Sequence, residues 1–303
     1  MINNDLEHRI QTFANMASNF KHKKVVDLIC AHNIKARKFF ELQDSILKYL
    51  GKSANNYFDD ASDMLGYYID HYDNIPCITP NGLVAPKNNT VLEYNLICQN
   101  FYDIISNLNI NHLIHSWHVP LNIRIKLGTA IGSNLTREYP TEYIHSDSWA
   151  GESSHSVTTM IPVFGDTYRN YVEYYEPPSN FKEEWLGPRP SYKDGDDVVQ
   201  KYSKINYIAP IGTLNLVDFA TLHRSHRESI AGVRVSIDTT FLLKRNETQA
   251  VEHPWRTNER ASPEIVHNLG KDYLFYFPDD PATIASNLGG FKHPTNLQIR
   301  KLI

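Results

Sequence analysis

Three short segments of the 303-residue chain carry side chains suited to chemistry. His145-Ser146-Asp147 lies within residues 142–147, which read as a strand, and side chains two apart on a strand point to the same face. An imidazole and a carboxylate projecting together from a rigid strand are preorganised for a metal ion. A third ligand has to come from a distant part of the chain, and His223, at the end of the strand-like run that begins at Thr213, is the candidate. Two histidines and a carboxylate on one face of a six-coordinate ion leave three positions open, enough for a co-substrate and O2 to share the metal. Eleven positions after His223 comes Arg234-Val235-Ser236, whose guanidinium and hydroxyl again share a strand face. Pointed into an apolar barrel, that pair suits a carboxylate, and a buried guanidinium needs such a partner.

Bringing these groups together requires separate strands, and the chain's patterning supplies them. Residues 1–115 read as a helical layer. Leu6, Ile10, Phe13, Ala14 and Ala17 recur at three- and four-residue steps, the spacing of one helix face. Val25, Val26 and Ile29, ahead of Asn33, predict a second helix, and Phe39, Leu42, Ile46, Leu47 and Leu50 predict a third that stops at Gly51. Asp59 to Tyr72 predicts a short helix, and Pro76, Pro80, Gly82 and Pro86 mark a loop. Thr90 with Glu93 forms a capping box for a helix through Leu96, Ile97, Phe101, Ile104 and Ile105.

From about residue 115 the apolar period falls to 2. Leu121 to Leu127 alternates strictly, placing Asn122, Arg124 and Lys126 on one face. Further strand-like runs are Glu142 to Asp147, Val157 to Phe164, Tyr171 to Tyr175, Ile205 to Ile208, Thr213 to Phe219 and Val233 to Leu243. Strands at this spacing predict an antiparallel sandwich or barrel over residues 116–245. Residues 177–204 read as a polar surface insertion. Residues 246–303 form an irregular extension around Arg256, Pro263, Asp279, Pro281 and 289–294, which would cover the barrel or make a homodimer contact. The expected organisation is thus a single domain over residues 1–303.

The ordered set His145-x-Asp147, His223 and Arg234-x-Ser236 resembles the iron(II)/2-oxoglutarate-dependent dioxygenase superfamily. Within it, His223-Arg224-Ser225 followed by Arg234 is most similar to the phytanoyl-CoA-hydroxylase-like branch. The resemblance covers about residues 120–245. It implies a mainly β fold with α, a double-stranded β-helix (jelly roll, cupin-like) flanked by N-terminal helices. It also implies Fe(II) held by His145, Asp147 and His223, and 2-oxoglutarate anchored through its far carboxylate by Arg234 and Ser236. Reaction with O2 would release succinate and CO2 and hydroxylate an unactivated C–H bond of a small polar metabolite such as an amino acid, a sugar or a biosynthetic intermediate. Related halogenases lack the carboxylate that Asp147 supplies, which favours hydroxylation or desaturation. A binding or sensor protein that keeps the jelly roll without turnover, or a cupin-type enzyme not using 2-oxoglutarate, would need no Arg234-x-Ser236 anchor.

Other residues have competing readings. His226 rivals His223 as distal ligand, but three positions along an unbroken strand it faces the other way unless a bulge intervenes. Arg124 and Lys126 either line the pocket or form a solvated edge. Tyr143 shares the face of His145 and Asp147, while Asn215 and Thr221 share that of His223. Trp149 either closes over the site or packs against the helical layer. His112, His115 and His118 read as packing or surface residues, with no cysteine or carboxylate beside them to make a zinc site. His155 reads as a loop residue, and Asp194-Gly195-Asp196-Asp197 as a solvated turn.

Composition sets the frame for partners. With 30 basic residues against 34 acidic ones and a net charge of -4, the chain offers no polyanion-binding surface, so nucleic acid is not an expected partner. Three cysteines, Cys30, Cys77 and Cys98, are odd in number and far apart, which fits buried thiols rather than a disulfide framework. A polar N-terminus and the lack of a long apolar run predict a cytoplasmic protein without a membrane partner.

Overall fold

The computed structural model describes residues 4–75, 78–79, 81–119, 121–129, 138–244, 260–269, 273–276 and 298–301. The expectations at Pro76, Cys77, Pro80, Arg256, Asp279, Pro281 and 289–294 lie outside them. In chain order the elements are α1 (Asn4–Ala17), β1 (Lys23–Val26), β2 (Ile29–Asn33), α2 (Ala36–Ala54), α3 (Ala61–His71), α4 (Val91–Ser106), β3 (Ile114–His118) and β4 (Asn122–Lys126). There follow β5 (Ser156–Gly165), β6 (Asn170–Glu176), α5 (Asp196–Val199), β7 (Ser203–Lys204), β8 (Thr213–Asp218), β9 (Leu222–Arg227) and β10 (Arg234–Leu243). The last are β11 (Arg260–Ala261), α6 (Pro263–His267), β12 (Tyr273–Tyr276) and β13 (Gln298–Lys301). No helix among the described residues is long and apolar enough to cross a membrane.

Strands β1, β2, β8, β5, β10, β3 and β11 make one sheet in that order, with β4 also paired to β10. Strands β7, β6 and β9 make a smaller one, extended by a single antiparallel bridge between His145 and His223. From β4 onward the chain crosses between the sheets: β4, β5, β8 and β10 lie in the large sheet, while the residue-145 bridge, β6, β7 and β9 lie in the small one. This is the expected double-stranded β-helix.

Alternation along β10 assigns its two faces. Val235, Ile237 and Phe241 join Ile123 and Ile125 of β4, Ile161 and Val163 of β5, and Leu214 and Leu216 of β8 in the main apolar core. That core includes Leu42, Ile46 and Tyr49 of α2 and Tyr94, Ile97 and Phe101 of α4, so these helices cover the outer face of the large sheet. Buried tyrosine hydroxyls fasten the layers without stranding a polar group: Tyr49 donates to Val84 O at 2.7 Å and Tyr94 to Leu121 O at 2.9 Å. The other face, carrying Arg234, Ser236 and Asp238, looks between the sheets. A second, small apolar cluster of Ile29, Tyr174, Ile205 and Val217 fills part of that interior.

Several local expectations are corrected. Val25, Val26 and Ile29 belong to the β1–β2 hairpin, not a helix; β2 pairs with β8 through Ile29↔Val217 and Ala31↔Asn215, where β-branched side chains pack well. Helix α2 runs through Gly51 to Ala54 and ends at Asn55 in the left-handed region, φ 53°. Gly51 instead permits close approach, since a Cβ there would lie 2.9 Å from Asn56 O. Thr90 precedes α4 but accepts from Lys87 N at 2.8 Å and leaves the helix uncapped by its side chain. Residues 205–208 are not a strand: Ile205 N bonds Tyr174 O at 2.9 Å, and regular pairing is confined to β7. The run from Thr213 to His223 is two strands in opposite sheets, β8 and β9, joined by a turn in which Thr221 N bonds Asp218 O at 2.9 Å.

The 177–204 insertion is also not a surface loop. Phe181, Leu186, Tyr192, Val198 and Tyr202 are buried in the main core. Arg9 of α1 clasps it in place, donating from Nε to Glu183 at 2.6 Å, from Nη1 to Asp218 at 2.7 Å and from Nη2 to Ser154 O at 2.8 Å. Burial opposes the charge on Arg9, but Asp218 and Glu183 more than offset it. Removing a buried partner strands the opposite charge, so Arg9→Ala is expected to lower stability by about 3 kcal/mol. Chemical denaturation checks this; a midpoint equal to wild type would show that the clasp contributes nothing.

Candidate metal centre

His145 and His223 face each other through a backbone bridge in which His145 N bonds His223 O at 2.9 Å and His223 N bonds His145 O at 2.8 Å. The expected strand over residues 142–147 contracts to this one bridge. Asp147 starts a 3-10 turn, Asp147–Ala150, whose entry is held by Ser146 Oγ accepting from Ser148 N and donating to Phe219 O at 3.0 Å. The turn, rather than strand parity, swings the carboxylate toward the imidazoles. Asp147 Oδ1 lies 3.6 Å from His145 Nε2 and 3.8 Å from His223 Nε2. Donor atoms of the three residues fall within 4.8 Å of one another. Ligands about 2.1 Å from one ion sit roughly 3 Å apart when adjacent, and both Asp147–imidazole distances are within about 1 Å of that spacing.

Each ligand is held in the form a metal requires. His145 Nδ1 lies 2.7 Å from Tyr143 O, a contact that places a ring N–H there and leaves the Nε2 lone pair free. Burial, then His145, pushes His223 down to about 4 against the pull of Asp147, so its ring is neutral near pH 7. Burial works against the charge of Asp147, but His223, His145 and Arg124 outweigh it and hold the carboxyl well below its usual range. Thr158 Oγ1, 3.4 Å from Asp147 Oδ2, supports the carboxylate from β5.

Tyr192 has no counterpart among the residues singled out from local patterning. It comes from the insertion, and its ring stacks on His145 with centroids 3.9 Å apart and planes 17° from parallel. Nor does Trp149 line the cavity. It is fully buried under the insertion, with Nε1 donating to Trp185 O at 2.8 Å and the Arg189 guanidinium 5.0 Å over its ring. His226 lies on the opposite face of β9, its ring tilted against Tyr171 with centroids 5.0 Å apart and its Nδ1 3.9 Å from Glu173, away from the triad.

The anchor residues take the inner face of β10. Arg234 and Ser236 are buried, and Arg234 Nε and Nη1 have no hydrogen-bond partner among the described residues. Burial, then Arg227, pushes Arg234 down to about 10. Opposite Arg234 on β4 stands Lys126, whose amine burial pushes well below its usual range; its Nζ donates to Thr141 Oγ1 at 2.7 Å. Arg124 and Lys126 therefore face the interior rather than solvent. Asn215 also faces inward, but from β8 in the large sheet, not from the strand of His223; its Nδ2 donates to Met160 O at 3.1 Å and its Oδ1 accepts from Tyr207 at 2.6 Å. Thr221 sits in the β8–β9 turn with its hydroxyl buried. Tyr143 contributes its carbonyl to His145, while its ring lies 5.2 Å under Lys193 Nζ. His118 is buried 3.3 Å from Glu152, and among the described residues it joins no metal-type cluster. His155 occupies the turn before β5, and the 194–197 segment spans the end of a 3-10 turn and the start of α5, with Gly195 buried against Trp149.

No family model matches the chain, and no curated protein matches it. Among solved structures it is similar to the non-heme alpha ketoglutarate dependent epimerase SnoN from nogalamycin biosynthesis, at 10% identity, 78% of this chain, 83% of that one and a TM-score of 0.42. The carbocyclase SnoK of the same biosynthesis gives 10% identity, 82% and 87% coverage, and 0.42. EctD from S. alaskensis gives 13%, 80% and 82%, and 0.39.

If His223 and not His226 completes the triad, His223→Ala is expected to weaken Mn(II) or Co(II) binding at least about 100-fold, while His226→Ala changes it by less than about twofold. Metal titration followed by tryptophan fluorescence distinguishes them; equal losses would reassign the ligand.

Proposed function

We propose that this chain is an Fe(II)- and 2-oxoglutarate-dependent oxygenase that hydroxylates an unactivated C–H bond of a small polar metabolite. The reading is carried by one observation: a His145–Asp147–His223 triad and a buried guanidinium, Arg234, with unpartnered N–H groups belong to the same interior. An uncompensated buried cation is costly, and a carboxylate ligand removes the cost. A binding protein or a cupin-type enzyme without a 2-oxo acid would leave Arg234 unexplained. The spacing of His223-Arg224-Ser225 and Arg234 supports the phytanoyl-CoA-hydroxylase-like branch within that class.

In this reading His145, Asp147 and His223 hold the iron through two neutral nitrogens and one anionic oxygen. Arg234 takes the far carboxylate of 2-oxoglutarate in a charge-assisted pair, and Ser236 adds a hydroxyl on the same face. Iron with 2-oxoglutarate and O2 supplies the oxidising power, and the balance is one C–H converted to C–OH for each 2-oxoglutarate converted to succinate and CO2. The protein's own contribution is to hold and orient, so no general base is needed. Residues 1–303 act as a single catalytic unit in this proposal, in a reducing cytoplasm that suits its buried thiols; burial pushes Cys30 up to about 12.

Succinate release from 2-oxoglutarate with Fe(II) and O2 tests the reading. Wild type is expected to turn over slowly without prime substrate, and Asp147→Ala to abolish release. Arg234→Met is expected to raise the KM for 2-oxoglutarate at least about 30-fold, the cost of truncating a buried charge pair. Release that persists in Asp147→Ala, or a KM untouched by Arg234→Met, would overturn it.

A further inference from the structure

The inner wall formed by β4 and β10 carries three cross-strand rungs: Lys126 opposite Arg234, Arg124 opposite Ser236, and Asn122 opposite Asp238. Depth separates them. Lys126, Arg234, Ser236 and Asn122 are buried, whereas the side chains of Arg124 and Asp238 retain 21% and 18% of their exposure. Asp147 and His223 are likewise only partly exposed, at 27% and 19%, and Arg124 lies near enough to Asp147 for its charge to help hold that carboxyl down. Geometry links them too. Asp238 pairs with Met160 on β5, and Thr158, its diagonal neighbour on that face, reaches Asp147 at 3.4 Å.

Arg124 and Asp238 are already bonded to each other. Arg124 donates from Nε to Asp238 Oδ2 at 2.7 Å and from Nη2 to Oδ1 at 3.3 Å, and Asn122 Nδ2 donates to Oδ1 at 2.8 Å. A carboxylate has about four acceptor sites and a guanidinium five N–H groups, so both keep capacity in reserve. The remaining contact of Arg124, from Nη1 to Asn81 O, is long at 3.5 Å. The Arg124–Asp238 pair therefore offers outward donors beside an acceptor, at zero net charge within the pair. A monoanion placed there would meet the Asp238 carboxylate and a simple cation would meet Arg124. A ligand with both charges side by side meets both with the right sign.

We propose that Arg124 and Asp238 form the prime-substrate subsite, and that it takes the ammonium and carboxylate of a free amino acid, the ammonium toward Asp238 and the carboxylate toward the outer edge of Arg124. This rests on the oxygenase reading and narrows its substrate class from polar metabolites in general to zwitterions. Asn122, donating to Asp238 Oδ1, helps to hold that carboxylate in place.

Binding to the protein loaded with Mn(II) and 2-oxoglutarate, which does not turn over, tests the assignment by calorimetry. Each protein-forming L-amino acid is titrated, and every ligand found is compared with its deaminated acid and its decarboxylated amine. The expected result is an amino acid that binds at least about tenfold more tightly than either analogue. Asp238→Asn is expected to weaken that binding at least about tenfold, and to weaken 2-oxoglutarate binding by less. Arg124→Lys, which keeps the ion pair but not the outer edge, guards against a folding defect and is expected to behave alike. Analogues that bind as well as the amino acid, or no binding by any amino acid, overturn the proposal. Equal loss of 2-oxoglutarate binding in both variants assigns the pair to the co-substrate instead and also overturns it. Failure of the wild type to bind 2-oxoglutarate sinks the oxygenase reading itself, and the subsite with it.

Discussion

Two backbone hydrogen bonds between His145 and His223, at 2.9 and 2.8 Å, set the geometry on which the site depends. They fix the register of one chain segment against another, so both imidazoles leave the backbone at the same level, with ring centroids 4.4 Å apart. A slip of one residue would send either ring to the other face of its strand. Because the ladder at residue 145 is only one bridge long, it cannot hold that register alone. The insertion supplies what the missing ladder would have provided: Tyr192 lies flat on His145, Tyr192 N bonds Glu138 O at 2.9 Å, and Arg189 N bonds Trp149 O at 2.9 Å. An element that looks peripheral in the sequence thus supports the ligand-bearing segment.

Charge in the barrel interior is compensated unevenly, and the unevenness has a direction. Glu142 serves two cations, Arg227 at 3.2 Å and Lys126 at 3.8 Å. Asp238 serves Arg124 at 2.7 Å. Arg234 keeps Nε and Nη1 unpartnered among the described residues. Folding normally avoids such a group, since desolvating a charge costs several kcal/mol (roughly, after relaxation) unless something pairs with it. Where the cost is retained next to a set of metal-type ligands, the natural reading is that a ligand settles it on binding. The guanidinium is then preorganised, with its desolvation already met in the folded chain.

How much of this could be read in the amino-acid order depends on the range of the cause. Alternation in Asn122–Lys126 and in the first half of Arg234–Leu243 marked both strands, because strand period is a local property, while the inward face of Asn122–Lys126 stayed open until its pairing with β10 decided it. The β1–β2 hairpin escaped because Val25, Val26 and Ile29 fit a helical spacing as well as a strand, and pairing with β8 decides between them. The same limit hid the break between β8 and β9: residues 213–223 alternate well enough to pass for one strand, and only the existence of two sheets requires the turn at Thr221. His145, Asp147 and His223 were legible as residue types in order, yet the reason assigned to Asp147 was mistaken, since a 3-10 turn and not strand parity aims it. Tyr192 was invisible, because stacking across 47 positions leaves no trace in local pattern.

A ligand carried on a turn is harder to keep still than one carried on a strand, and the segment around Asp147 is tied down on both sides accordingly. Upstream, Ser146 Oγ bonds Phe219 O at 3.0 Å, which joins it to the end of the large sheet. Downstream, Glu152 is buried and accepts from Thr240 Oγ1 at 2.7 Å and Arg260 Nη2 at 3.1 Å, with His118 Nδ1 at 3.3 Å. Thr240 belongs to β10, His118 to β3 and Arg260 to β11, so three strands of the large sheet converge on one carboxylate five positions past the ligand. Side chains held within about 0.5 Å are what distinguish a working site from a loose one, and that tolerance has to be met by the surroundings when the local backbone is a turn. The residues that hold Asp147 in place are therefore drawn from far along the chain, including Arg260 beyond the barrel.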